Sequence, residues 1–336
     1  MGQQFSDPVI DFVDPIHFTQ NDLQIGAVAM QGSRRTMEDY HLALPLPSRP
    51  DHILLGVFDG HGGNAMAEYV QQNLVRVLEE TLLVQPDLGK AIKTAFFQLD
   101  ANVLEQGPVR NEDGTTPGTT AIVAIVTPTG GNIVCANVGD SRACILTQDG
   151  RVVPMSIDHK PNLDAERERI EAAGGVVFKN RVDGNLALSR ALGDYEYKTN
   201  AAFSVKQQKV TAEADIITVS HADADADADA NAKAAFLLLA SDGLWDVMTN
   251  EEAMEEVRKL MVDEGETNVQ LVTEELVHLC VCERGSMDNV TAVVVRFPYP
   301  EIVKGKGEGV LGRRQRRQEA LAAAQAATKA LAAGSP

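Results

Sequence analysis

Six short apolar runs, at residues 53–58, 121–127, 132–137, 143–147, 236–240 and 291–297, constrain what this chain can fold into more than any other feature. All are short and bounded by Gly, Asp or Pro, and most carry β-branched residues, the pattern of a strand rather than a helix. Brief turns such as Gly130-Gly131 and Asp149-Gly150 join several neighbours, which predicts antiparallel pairing. Helical periodicity covers residues 64–83, 88–105, 162–172, 250–262 and 268–283. Strands in runs, with helices grouped between them, predict a layered α+β architecture.

Both ends of the chain change character, so the reading is a catalytic-sized domain over residues 23–298, an N-terminal segment 1–22, and a basic, Ala-rich tail 299–336. With 336 residues, 44% of them hydrophobic, a sizeable core is within reach. The formal net charge of -18 argues against nucleic acid as a partner and suits the binding of divalent cations. Four cysteines, Cys135, Cys144, Cys280 and Cys282, have neither disulfide-scaffold density nor zinc-ligand spacing. No stretch approaches a membrane span and no secretory signal opens the sequence. The expectation is a soluble, monomeric, intracellular protein, cytoplasmic or nuclear.

Four acidic motifs stand out: Met37-Glu38-Asp39, Phe58-Asp59-Gly60-His61-Gly62-Gly63, Ser241-Asp242-Gly243-Leu244-Trp245-Asp246 and Met287-Asp288-Asn289. Asp59 and Asp242 directly follow apolar runs and Asp288 precedes one, so their carboxylates are expected to converge at one end of the central strands. Mg²⁺ and Mn²⁺ prefer oxygen ligands, and a few Asp and Glu side chains suffice. Two such ions about 3.5 to 4 Å apart can share one carboxylate and lower the pKa of a shared water. Asp59 is the candidate bridge, and the glycines after it let the Gly60 carbonyl approach closely, where a Cβ would obstruct.

These motifs, together with Met30-Gln31-Gly32-Ser33-Arg34-Arg35-Thr36, Gly118-Thr119-Thr120-Ala121, Val138-Gly139-Asp140-Ser141-Arg142, Asp158-His159-Lys160-Pro161 and the run from Arg181 to Asp194, occur in the order found in the type 2C, or PPM, protein phosphatases, and the chain resembles that family over most of residues 24–297. The resemblance implies a protein serine/threonine phosphatase acting through metal-activated water. It also implies a central sandwich of two antiparallel sheets flanked by helix pairs, a four-layer αββα arrangement. Two Mg²⁺ or Mn²⁺ ions per chain are implied, one held by Asp59, Asp242 and Asp288, the other by Glu38, Asp59 and the Gly60 carbonyl. A weaker third would use Asp140 together with Asp242.

By the same resemblance Arg34 grips substrate phosphate, a task suited to a planar guanidinium. Asp39 orients a metal-bound water with support from Thr120. His61 acts as general acid toward the departing seryl or threonyl oxygen, against the plainer reading of a packing histidine beside metal ligands. The mobile flap of the family corresponds to residues 195–209. The chain departs from the family at Ser33, often aromatic, and at Thr211-Ala212-Glu213-Ala214-Asp215, often proline-flanked, and neither position is a ligand.

Rival chemistries lack their signatures. No cysteine is followed by the Cys-x5-Arg spacing of a cysteine phosphatase, and there is neither a G-x-S-x-G elbow nor a phosphate loop of the G-x-x-x-x-G-K-S/T kind. The alternating Asp-Ala stretch at residues 222–230 has Ala228 and Ala234 where a calcium loop needs Gly and Glu. The rival from another class is an inactive family member serving as a regulatory binding module. At the ends, Met1-Gly2-Gln3-Gln4-Phe5-Ser6 fits an N-myristoylation pattern, and the cluster from Arg313 to Arg317 could supply a second membrane signal, a nuclear address or a solvated helix face. For residues 320–333, docking on the domain and disorder both remain open.

Overall fold

The structure is a computed structural model that describes residues 4–127, 131–220, 233–298 and 307–333. Its strands in chain order are β1 Gln4–Gln20, β2 Leu23–Arg34, β3 Asp39–Leu46, β4 Arg49–His61, β5 Gly118–Thr119, β6 Ala121–Val126, β7 Asn132–Val138, β8 Arg142–Thr147, β9 Val152–Pro154, β10 Val177–Phe178, β11 Arg181–Val182, β12 Leu192–Gly193, β13 Asp215–Ser220, β14 Ala234–Ala240 and β15 Val290–Arg296. Its α-helices are α1 Ala65–Leu82, α2 Leu88–Gln106, α3 Asp164–Ala172, α4 Asp242–Trp245, α5 Asn250–Arg258, α6 Val269–His278 and α7 Gly309–Ala333. Helices α5 and α6 each run on into a π-helical turn, Lys259–Asp263 and Leu279–Glu283.

Two antiparallel sheets form the centre. One has the order β1-β2-β15-β14-β8-β9, and the other β12-β5-β4-β6-β7-β13 with β3 also paired to β4. The apolar runs read as continuous because both faces of these strands are covered. On β4, Ile53, Leu55 and Val57 pack into the layer between the sheets, while Leu54 and Phe58 pack against α1 and α2 with Leu74 and Phe96. On β14, Leu237 and Leu239 face the other sheet, while Phe236, Leu238 and Ala240 meet Met254 and Val257 of α5 and Leu276 of α6. The period of two along a strand thus splits one apolar run between two cores, and the result is the expected four-layer sandwich. A small fourth core, Ile170, Val182, Ala191 and Val210, supports the segment that carries β10 to β12.

The ends are more structured than their sequence patterns announced. Residues 4–20 form β1, an edge strand on β2 whose register is interrupted between Gln4 and Val9, Val9 and Phe12, and Val13 and Ile16. Pro8 and Pro15 lie on it, and an edge strand tolerates prolines that a central one would not. These interruptions erase the alternation by which a strand is recognised, although Phe12, Ile16 and Phe18 still pack on the cores.

The tail helix α7 docks through its first turns. Val310 is fully buried and its N–H donates to Glu266 Oε2 at 3.1 Å. The carboxylate of Glu275 on α6 is completely shielded from solvent and meets Arg313 (3.2 Å), Arg314 (3.3 Å) and Arg317. Glu256 also pairs with Arg313, Glu274 with Arg314 and Glu283 with Arg317. The basic cluster is therefore engaged with the acidic domain rather than presented to solvent as one free patch. Among the described residues, no helix is long and apolar enough to cross a membrane. Gly2 and the Asp-Ala stretch at 222–230 lie outside the described residues.

Candidate metal centre

The acidic residues reach one place because strand ends deliver them there. Asp59 stands near the end of β4, opposite Asp39 at the start of β3 in the antiparallel register. Asp242 opens α4 directly after β14 and its N-cap Ser241, and Asp140 lies in the turn from β7 to β8. Carboxylate oxygens of Asp59, Asp140 and Asp242 all lie within 4.8 Å of one another. Asp288, just before β15, completes the rim, its carboxylate engaged by the guanidinium of Arg34.

Backbone contacts fix this geometry. The Asp59 N–H donates to Thr120 Oγ1 at 3.2 Å, the Thr120 N–H donates to the Asp59 carbonyl at 2.9 Å, and the Thr120 and Ser141 hydroxyls share a hydrogen bond of 2.6 Å. Thr120 is thereby a support for Asp59. The hydroxyls that hold Asp39 belong instead to Thr291, which donates to Asp39 Oδ2 at 2.7 Å, and to Ser241. The difference follows from topology: β15 in the facing sheet carries Thr291 to Asp39, a juxtaposition across 252 residues that no local spacing encodes.

The Gly60 N–H donates to the Glu38 carbonyl at 3.2 Å, and a Cβ on Gly60 would overlap that same oxygen, which is why glycine stands here. Glu38 itself accepts hydrogen bonds from the Thr36 hydroxyl (2.7 Å) and the Gly63 N–H (3.0 Å). Asn289 clamps this loop: its Oδ1 accepts from the Glu38 N–H at 2.8 Å, and its Nδ2 donates to the carbonyls of Gln31 and Thr36. The motif Asp288-Asn289 drew attention to its aspartate in the sequence, but the asparagine is what ties β15 to the ligand loop.

Burial and mutual repulsion raise Asp59, Asp242 and Asp39. Asp59 is pushed well above the usual carboxylate range by burial, then by Asp242, Asp39, Asp140 and Asp288. Asp242 is raised to about 8 by burial, Asp140 and Asp288, and Asp39 to about 6, chiefly by burial. Buried carboxylates crowded this closely call for positive charge. The donor set is all oxygen, so hard divalent cations fit it. Lys160 already places its ammonium on Asp140. Burial alone would lower the lysine's pKa, and Asp140, Asp158 and Asp242 raise it above its ordinary value.

His61 follows Asp59 by two residues, and its Nε2 lies 2.7 Å from Asp194 Oδ2. Burial pulls its pKa down, but Asp194 outweighs that and the net shift is upward. A Cβ on Gly118 would overlap both His61 Nε2 and Asp194 Oδ2, so the glycine of β5 makes room for the pair. Asp194 has no role in the sequence reading beyond ending the long motif from Arg181. Its function becomes visible only when β12 pairs with β5 and brings it beside His61. The segment 195–209 lies next to it, with Tyr195 buried and Lys198 paired to Asp100.

Comparison with known proteins shows what the whole chain is similar to. The sequence profile of the family described as protein phosphatase 2C matches residues 23–290. Protein phosphatase 2C homolog 2 of Schizosaccharomyces pombe is 37% identical over 315 residues, covering 88% of this chain and 79% of its own. A Caenorhabditis elegans protein named as a probable protein phosphatase 2C is 37% identical over 302 residues, covering 88% of this chain and 80% of its own. The crystal structure of a phosphatase from Toxoplasma gondii superposes with a TM-score of 0.72 at 25% identity, covering 84% of this chain and 95% of its own.

Proposed function

Since the chain belongs to the protein phosphatase 2C family, whose members are metal-dependent phosphoprotein phosphatases, we propose that it hydrolyses phosphoserine and phosphothreonine esters at a pair of Mg²⁺ or Mn²⁺ ions. The observation that carries this reading is the convergence of Asp59, Asp140 and Asp242 within 4.8 Å, all-oxygen, with Asp140 buried and the other two half-buried, beside Arg34 and His61. Asp59, Asp242 and Asp288 would hold one ion, and Glu38, Asp59 and the Gly60 carbonyl the other. When bound, such ions act as Lewis acids and make water a nucleophile near neutral pH.

The chain's own residues do the rest. Asp39, fixed by Thr291, orients the attacking water and accepts its hydrogen bond. Arg34 leaves Asp288 for the phosphoryl oxygens, to which its planar fork is suited. His61, whose protonated form Asp194 favours, gives a proton to the departing seryl or threonyl oxygen as the P–O bond breaks. A myristoyl group on Gly2, sought as an acylated N-terminal peptide in mass spectra of protein from its native cell, is a separate proposal on which the chemistry does not depend.

The direct test is hydrolysis of p-nitrophenyl phosphate and a phosphothreonine peptide with Mn²⁺, Mg²⁺ or EDTA, comparing the parent with Asp59→Asn. Turnover abolished by EDTA and by the substitution supports the two-ion phosphatase. A folded parent with no turnover in any metal turns the reading toward a binding module.

A further inference from the structure

Lys160 is held where it is by its backbone. The His159 N–H donates to the Gly139 carbonyl at 2.9 Å, and His159 Nδ1 accepts the Gly139 N–H at 3.1 Å. The Asp158 carboxylate accepts from Arg142 Nε and Nη2 at 2.9 Å each. The segment 158–160 is therefore tied on both sides to the turn that carries Asp140, and the lysine is aimed at that carboxylate rather than swung onto it by chance. Asp140 is buried, whereas the Lys160 side chain keeps 41% of its surface exposed. Past Asp140 the ammonium faces Asp242 and Asp246 from the β14–α4 corner.

We propose that Lys160 is a tethered counter-ion that occupies the Asp140 corner of the carboxylate centre and competes there with a divalent cation, so that this one side chain sets how tightly a third ion is held. The inference rests on the metal-centre reading above. An oxygen of Asp140 can serve the ammonium or a divalent cation, and a cation that takes it must first displace a positive charge attached to the same chain. That competitor is always present, and it weakens this corner selectively, because the ammonium's ion pair is with Asp140. A divalent ion carries twice the charge of the ammonium, so at high concentration it prevails. The lysine's exposed stem gives it solvent to retreat into. With two ions bound, Lys160 keeps Asp140 from standing as a buried unpaired charge.

The test counts Mn²⁺ bound to the metal-stripped full-length protein, by equilibrium dialysis with free Mn²⁺ read by its electron paramagnetic resonance signal. It compares the parent, Lys160→Gln and Lys160→Arg. Removing the competitor should tighten the weakest Mn²⁺ by about tenfold or more, a modest fraction of the Coulomb energy of such a pair, while the two tighter ions shift little. The Lys160→Arg protein, which keeps the charge, should keep the weak site weak. Asp140→Asn in the Lys160→Gln background should abolish the gain. An unchanged third affinity in Lys160→Gln, with two ions still bound, overturns the role of Lys160 and leaves the two-ion centre standing. A parent that binds no Mn²⁺ overturns both. If Lys160→Gln does not fold, Lys160→Met, which keeps the apolar stem without the charge, carries the same expectation.

Discussion

The guanidinium of Arg34, at the end of β2, rests on the carboxylate of Asp288, 254 residues further along the chain. One is the expected phosphate grip and the other an expected metal ligand, so the metal rim and the substrate grip share a contact. Arg34→Ala should raise KM for a phosphopeptide by about 10- to 100-fold, the worth of one or two charge-assisted hydrogen bonds. Mn²⁺ affinity should be unchanged or tighter, because Asp288 loses a competing cation. Steady-state kinetics and Mn²⁺ titration check the two halves, and weaker Mn²⁺ binding would contradict the assignment.

Asp194 holds His61 at 2.7 Å. Asp194→Asn should lower kcat by about 10²- to 10⁴-fold if His61 is the proton donor, with Mn²⁺ binding preserved. Gly118→Ala should do the same by a different route, since its Cβ enters the space of both side chains. A p-nitrophenyl ester, whose leaving group needs no proton, should lose much less rate than a phosphothreonine peptide in both variants. Equal losses on the two substrates would place His61 outside proton transfer.

The segment beside the site is held by a buried ion network. Glu166 of α3 pairs with Arg169 and Arg190 at 2.6 Å each. Burial pushes the Glu166 carboxyl up, but the Arg190 hydrogen bonds and the charges of both arginines prevail and hold it at about 2. A depressed folded-state pKa gives stability that is present above the ordinary value of 4.5 and is lost as pH falls from there toward 2. Glu166→Gln should cost about 3 kcal/mol at pH 7, with the gap between parent and variant narrowing below pH 4.5. Urea unfolding of the pair across that range measures it, and a gap independent of pH would remove the network's role.

Glu275 is buried beneath three arginines of α7. Removing residues 309–336 should therefore destabilise the domain by about 3 kcal/mol or more, because these charge-assisted pairs and the burial of Val310 are lost together. In the truncated chain Glu275→Gln should change little, since the carboxylate then opens to water, whereas in the intact chain the same substitution should destabilise by leaving the arginines short of an acceptor. This contrast, read from thermal midpoints, distinguishes a specific clasp from a generic loss of helix.

How much of this could be read in advance follows from the physics of each part. The gathering of Asp59, Asp242 and Asp288, the candidate ligands, at one end of the sheets was legible because each adjoins a short apolar run, and strand ends converge when strands share a sheet. Helix α5 was legible through its apolar periodicity, whereas its capping box, in which Thr249 and Glu252 serve each other's backbone, comes from the structure. Strand β1 was not, because bulges and two prolines break its alternation. The partnership of Asp39 with Thr291 and of His61 with Asp194 was hidden, since each depends on which strand lies beside which. The tail arginines left a membrane signal, a nuclear address and a solvated helix face all open, because a sequence shows charge without showing the acids it faces.

The register of β1 on β2 sets Val9 against Gly32 and Gln4 against Arg34. Anything joined ahead of residue 4, a purification handle or a reporter protein alike, would leave the fold at the mouth of the catalytic cleft and stand in the path of an incoming phosphoprotein. The opposite terminus leaves along α7, packed on α6 behind the sandwich, so attachments there give the fairer measure of how this phosphatase meets its substrates.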